Sequence, residues 1–366
     1  MKITSTEIYK LTIPMEPFVI ATETSYYTQN IFIRIHTNEG ITGVGECSAF
    51  PMLVGETQNT CYEVAKDFAR MLRGWNPLEI EQCLKLLDDY ISNNTSIKSA
   101  FDMAFYDISS KAANLPLYQF LGGQRKTIQT DLTIGIAEPQ KMANTAVKYV
   151  KDGVKIIKVK LGKNAKEDVL RMKLIREAVE PDIQLRIDAN QGWTFDDALY
   201  ALTEIAAYDI QYCEQPMRRY NDPLLPKLKS LSPIKIMADE SVFDHRDAIR
   251  LIEANACDYV NIKLAKSGGI REAIRIADAC KERNVPCMLG GMVESRMALT
   301  AKVHLAMSHD GIKFYDLDTC LLGHLADPVL GGAVYNNYFL ELPEKAGIGA
   351  DIDQNFLNKM ERTIIS

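Results

Sequence analysis

From residue 131 to residue 318 the chain alternates short β-branched runs with helix-length amphipathic stretches, and this rhythm constrains the fold more than any other feature. The runs are DLTIGI (131–136), IIKVKL (156–161), IQLRID (183–188), IQYCE (210–214), IKIMAD (234–239), YVNIK (259–263), VPCMLG (285–290) and IKFYDLD (312–318). Strands joined in this way by helices specify a parallel sheet with right-handed crossovers. Eight such units closing on themselves form an α/β barrel. A doubly wound open sheet is the alternative, but no glycine-rich phosphate loop follows the first strand.

The flanks read differently. IFIRIHT (31–37) and GVGECSA (43–49) bracket the turn signal Asn38-Glu39-Gly40 and predict an antiparallel hairpin. SIKSAFDMAFYDISSKAANL (96–115) predicts a helix stopped before Pro116, with Ala100 and Ala104 giving it a face for close packing. Leu121-Gly122-Gly123 marks a boundary. The expected organisation is an α+β segment over 1–124, a barrel over 125–325 and a C-terminal segment over 326–366. In that last segment AVYNNYFLELP (333–343) reads as a strand followed by an extended tail that returns to the N-terminal part.

Composition narrows the function. The net charge of −6 is mixed along the chain, and the absence of a basic block argues against nucleic acid as a partner. No apolar run approaches the roughly 18 residues of a membrane span, and MKITSTEIYKLTIPM lacks the apolar stretch of a secretory signal. The eight cysteines are scattered without a CxxC pair and read as reduced core residues, so the expected location is cytoplasmic. None of the five histidines falls in a metal-ligand spacing such as HExxH.

Charged residues mark the strand ends. Lys158 and Lys160 end the second candidate, Asp188 the third, Glu214 the fourth, Asp239 the fifth, Lys263 the sixth, and Asp316 with Asp318 the eighth. In a barrel all of these project at the C-terminal mouth, where active sites are built. Asp188, Glu214 and Asp239 come from adjacent strands and form a hard, all-oxygen set suited to Mg²⁺. A salt-bridge cluster with Lys158 and Lys160 is the structural alternative. Lys160 and Lys263 approach from opposite walls. Neighbouring cations are expected to lower their pKa from about 10.4 toward ~7–8. Lys266 is expected to point away. Two bases facing each other across a Lewis acid suit removal of a proton beside a carboxylate and its return on the other face, with the metal stabilising the ene-diolate between.

On these residues the sequence resembles the enolase superfamily, specifically its muconate-lactonising subgroup, whose Lys or His base and Mg²⁺-stabilised ene-diolate are a known pattern. GVGECSAFP and MAFYDISSKAANLPLYQFLGG resemble the family's α+β capping domain. The resemblance implies a modified TIM barrel, (β/α)7β, carrying that domain at its N-terminus. It assigns Lys160, in IKVKLG, and Lys263, in NIKLAKSGG, as the acid/base pair, with Lys158 helping to hold the substrate carboxylate. Asp188 in RIDANQGW, Glu214 in YCEQP and Asp239 in MADES are then the ligands of one Mg²⁺ per subunit. The branch that uses a His–Asp dyad needs a histidine after strand seven, where this chain reads CMLGGMVES; His304 lies well along the following helix.

Muconate cycloisomerase, o-succinylbenzoate synthase, N-acylamino acid racemase and dipeptide epimerase share the two-lysine site. YDLDT (315–319) resembles the Asp-x-Asp signature of dipeptide epimerases, in which Asp316 and Asp318 bind the free α-ammonium of the first residue while the second residue is inverted at Cα. Thr133 matches a position near the substrate. A capping pair for nearby backbone or Arg296 is the alternative role of the two aspartates. Selectivity is expected from two capping-domain loops, 15–30 and 50–57. No Arg or Lys lies between Lys10 and Arg34, which argues against an acidic dipeptide. The expectation is a small neutral dipeptide of the Ala-Ala type, including D-Ala-D-Ala, from peptidoglycan turnover. A hydrophobic dipeptide comes next, and Glu23 leaves a cationic one open. A homo-oligomer is expected. The rivals are the other two-lysine activities, a metal-free Schiff-base aldolase and a non-catalytic metal- and peptide-binding protein.

Overall fold

The computed structural model describes all 366 residues. Eight parallel strands, Leu132–Ile134, Ile156–Lys160, Gln184–Asp188, Ile210–Glu214, Ile236–Ala238, Tyr259–Ile262, Cys287–Gly290 and Ile312–Asp316, pair in strict chain order. Between the first and last strands there is no regular ladder. The gap is spanned by the Asp131 N–H donating to the Tyr315 carbonyl at 3.3 Å and the Leu317 N–H donating to Thr130 Oγ1 at 2.8 Å. The barrel is therefore nearly closed. Amphipathic helices cover it and share its large apolar core. Tyr212, Met237 and Met288 fill the interior, with Arg186 stacked over Tyr212 and Phe314.

A second, smaller apolar core lies under an antiparallel sheet built from Ile3–Leu11, Asn30–Thr37, Thr42–Ser48 and the C-terminal strand Arg362–Ile365. The hairpin around Asn38-Glu39-Gly40 forms as its turn chemistry dictates, with Ile33 opposite Gly45. The helix Thr95–Ala112 packs against it with almost no gap. A side chain at Gly43 or Gly45 would collide with the carbonyls of Ala104 and Ala100, so both glycines are steric requirements of that contact. The same helix reaches the barrel through its acids. Asp102 accepts the Ile270 and Arg271 N–H groups at 2.5 and 3.2 Å, capping the helix Ile270–Glu282 from the other domain. Asp107 accepts those of Val44 and Ile348 at 3.0 and 2.7 Å.

Several expectations are corrected. Residues 333–343 form a hairpin, Val334–Asn336 with Phe339–Glu341, because Asn337 and Tyr338 turn through positive φ. The two capping-domain loops are ordered elements: a hairpin of Pro14–Val19 with Thr24–Tyr27, and a short helix, Pro51–Val54. The hairpin is tied across the barrel mouth. Ile136 N–H donates to the Val19 carbonyl at 2.9 Å, Glu16 N–H to Gly323 at 2.8 Å, and Leu325 N–H to Pro14 at 2.9 Å. The last barrel strand ends at Asp316, so Asp318 sits just beyond it at φ −98°, ψ 0°. Seven of the eight cysteines are buried, Cys320 is half-buried, and all are free. No helix is long and apolar enough to cross a membrane.

Candidate active site

Parallel pairing delivers the charged strand ends to one level. Lys160 is the register partner of Asp188, and Asp188 of Glu214. Asp239 follows the fifth strand directly, its N–H donating to Gln215 Oε1 at 2.9 Å. The chain leaves strand three through Asn190 and Gln191, both in the left-handed region, and the Asn190 N–H donates to Asp188 Oδ1 at 2.9 Å. Asparagine tolerates that conformation better than most residues.

All the charges here are buried, and most are paired with one another. Lys158 Nζ lies 2.6 Å from Glu214, 2.7 Å from Asp316 and 3.2 Å from Asp188. Burial works against its charge, but Asp316, Glu214 and Asp188 hold it well above the ordinary lysine range. Lys160 donates to Asp188 and Lys263 to Asp239, each at 2.7 Å. Lys263 is likewise raised: burial opposes its charge, and Asp239, Glu214 and Glu240 together outweigh burial. The expected lowering of Lys263 toward neutrality is therefore corrected in this ion-paired arrangement, because its nearest neighbours are anions. Lys266 does not point away. It is 1 % exposed and sits 2.8 Å from Asp239 Oδ1, with a further contact to the Asp239 carbonyl. Its short helix, Leu264–Ser267, turns it back under the site.

Can these residues hold a hard divalent cation? The donors are all oxygens, from Asp188, Glu214 and Asp239, with the Glu240 carboxylate and the Asn190 amide oxygen beside them. Glu240 Oε2 and Asn190 Oδ1 are buried without a hydrogen-bond partner. Burial, then the charge of Asp188, pushes Glu214 up to about 8; burial, then Asp239 and Asp188, does the same to Glu240. Unpartnered buried oxygens beside carboxylates whose charged form is disfavoured are donors that the lysines leave unsatisfied, so the donor set fits such an ion.

The most tightly gathered carboxylates lie elsewhere. Oxygens of Asp131, Asp316 and Asp318 are within 4.8 Å of one another. Two of these have resident cations, Arg186 on Asp131 at 2.8 Å and Lys158 on Asp316. Asp318 has none. It accepts the Thr133 N–H at 2.7 Å, and burial, then Asp316 and Asp131, raises its pKa well above the carboxylate range. Arg296, the alternative partner of the aspartates, is engaged by Asp327 at 2.7 Å and the Val329 carbonyl.

Thr133, Lys160, Lys263, Asp316 and Asp318 all line one cavity at the barrel mouth. Its roof is apolar: Met15, Phe18 and Ile20 from the hairpin, Phe50, Met52 and Leu53 around the short helix. Glu23 is outside it, in a small adjoining cavity. Asp188, Glu214 and Asp239 lie beneath the floor with no exposure, and Lys158 lies with them. Sequence reasoning missed Asp131, Arg186, Glu240 and Asn261, whose amide donates to Glu214 at 2.8 Å. Arg186 and Asn261 occupy alternating strand positions that face the barrel interior, and that periodicity was the available signal.

Comparisons with known proteins agree with this geometry. Residues 3–122 match the mandelate racemase / muconate lactonizing enzyme N-terminal domain, and residues 141–356 the enolase C-terminal domain-like family. A D-Ala-D/L-Ala epimerase of Cytophaga hutchinsonii is 44% identical over 100% of both chains. A solved dipeptide epimerase from that organism, complexed with Mg and D-Ala-L-Val, superposes with a TM-score of 0.98 at 44% identity, covering 100% of both chains. An N-succinyl Arg/Lys racemase of Bacillus cereus superposes at 0.97 with 32% identity, again over 100% of both. The chain is an isomerase of the enolase superfamily, belonging to the muconate-lactonising subgroup and its dipeptide epimerase branch.

Proposed function

We propose that the protein is a Mg²⁺-dependent dipeptide epimerase that inverts Cα of the second residue of a small neutral dipeptide of the Ala-Ala type. One observation carries the reading: two lysines from strands on opposite walls and an acidic pair lacking one counter-cation line the same cavity. Lys160 and Lys263 are the acid and base, each removing or returning a proton on its own face of the substrate. Asp316 and Asp318 receive the substrate ammonium, whose charge fits the unpaired Asp318. Lys158, fully buried, fixes Asp316, Glu214 and Asp188 in place and with them helps to hold the substrate carboxylate. Thr133 orients Asp318 through its backbone N–H.

Asp188, Glu214 and Asp239 would hold the Mg²⁺, one per subunit, and Mg accompanies the dipeptide in the Cytophaga relative. When bound, the ion supplies Lewis-acid stabilisation of charge that develops on the substrate carboxylate. The small-neutral preference is supported by the absence of any basic side chain in the cavity roof and by the D-Ala-D/L-Ala activity named for the Cytophaga relative.

The test is a mass-spectrometric screen of dipeptides, including D,D isomers, for exchange of one Cα hydrogen in D₂O. Exchange in Ala-Ala exceeding that in Ala-Glu supports the assignment, and no exchange in any dipeptide defeats it. The likeness to the N-succinyl amino acid racemase favours a second reading, racemisation of N-acylamino acids. N-acylation removes the α-ammonium, so Asp318→Asn would leave the turnover of N-acylalanine nearly unchanged.

A further inference from the structure

The loop that follows barrel strand seven, Gly291–Ser295, contains a residue in a costly conformation. Val293 has φ +55°, in the left-handed region, where a β-branched side chain is a rare exception. Such backbone strain persists only where the surroundings over-determine it. Here they come from both sides of the mouth.

From the barrel, the helix Arg296–Ser308 sends Lys302 back beneath the loop. Lys302 donates to the Gly290 carbonyl at 2.8 Å and is in direct contact with the Glu294 carboxylate. Glu294 in turn accepts the Met292 N–H. Both side chains of the ion pair are 3 % exposed. From the capping domain, Asn30 donates to the Val293 carbonyl at 3.2 Å and to Glu46 at 2.6 Å. Glu46 then accepts the Ser295 N–H at 2.8 Å and the Ser295 hydroxyl at 2.5 Å. The residue in the left-handed turn is thus flanked on each side by a buried carboxylate bound to loop backbone.

The position matters for the substrate. Gly291, Met292 and Val293 line the main cavity, and Val293 also lines the adjoining small one that holds Glu23, Ser25, Tyr27 and Gln29. Val293, with Ser25 and Phe50, forms the partition between them, and it is the barrel's contribution to that wall. We propose that the buried Lys302–Glu294 pair, seconded across the domain boundary by Glu46 and Asn30, is a positioning device that holds Val293 in its strained conformation and so fixes the wall that selects the substrate side chain facing strand seven. The selectivity part rests on the dipeptide reading above; the clamp does not.

Two readouts on the full chain separate the parts. The first is a double-mutant cycle on thermal unfolding with Lys302→Met and Val293→Gly, since glycine adopts φ +55° without strain. Lys302→Met is expected to lower Tm in both backgrounds, and by clearly less with Val293 than with glycine there, because a released Val293 relaxes and recovers part of the loss. Equal losses in both backgrounds would overturn the clamp. Should Lys302→Met fail to fold, the near-isosteric Glu294→Gln replaces it in the same cycle. The second readout is the ratio of kcat/KM for Ala-Ala against Ala-Leu and Leu-Ala. Glu294→Gln is expected to shrink at least one of those ratios fivefold or more, and unchanged ratios would overturn the specificity role. If the unaltered enzyme exchanges no dipeptide, the functional reading fails while the stability cycle still decides for or against the clamp.

Discussion

Lys160 and Lys263 hold different carboxylates on opposite walls of the mouth, and that separation gives them separable jobs. Replacing either with alanine is expected to slow overall epimerisation by about 10²- to 10⁴-fold, the usual worth of a positioned acid or base. Exchange with D₂O should persist in one stereoisomer for each variant, and the isomer should differ between the two; loss of both exchanges in both variants would argue against opposed bases. The acidic pair makes a different prediction. A hydrogen bond to a charged group contributes about 1.5–3 kcal/mol, so Asp318→Asn should cost a dipeptide about 10- to 100-fold in kcat/KM. The loss should fall mainly on KM. Asp316→Asn is expected to be more damaging, because it also strips Lys158 of a partner in a fully buried cluster. These roles follow from chemistry at strand ends, which parallel register makes readable. The direction of Lys266 was not readable, since it depends on a single helical turn after strand six.

At the scale of elements, the helix Arg296–Ser308 is the most informative. Its His304 accepts the Tyr118 N–H at Nδ1, 3.0 Å away, so Nε2 carries the hydrogen that reaches the Ile348 carbonyl at 3.1 Å. The ring is neutral in the fold: burial lowers its pKa to about 4 from 6.5. A depressed base binds fewer protons folded than unfolded, so its contribution is complete above the unfolded value and is lost as pH falls from about 6.5 through 4. The size is about 2–3 kcal/mol between pH 7 and pH 4.5. Urea midpoints at those two pH values should fall less in His304→Gln than in the unaltered chain; parallel falls would contradict the assignment. The helix also shows what a sequence conceals. Lys302 and His304 stand in the apolar run MALTAKVHLAM, and nothing local says that one reaches back to strand seven and the other across to residue 348. Glu46 is the same case, a single acid in GVGECSA whose partners lie 249 residues away. Each depends on a contact between distant segments that periodicity does not encode.

For the whole molecule, the barrel was legible because strand and helix periods alternate in phase with charged strand ends, and the close helix packing because Ala100, Ala104 and the two glycines leave no other geometry. The roof was legible only in composition. Its loops proved to be a short helix and a hairpin tied by backbone bonds to the segments that follow strands one and eight, and side-chain patterns are silent about such bonds. The resulting molecule places an apolar roof over a floor of buried, largely paired charges. On the proposed function this cavity inverts a carbon beside a carboxylate with an ion held by Asp188, Glu214 and Asp239. The most direct measurement is deuterium incorporation at Cα of the second residue of Ala-Ala in D₂O, before and after EDTA and again after Mg²⁺ is restored. The account predicts one deuterium per molecule with formation of the diastereomer, its loss in EDTA and its return with Mg²⁺. Exchange that survives EDTA, or its absence from every dipeptide with Mg²⁺ present, would contradict it.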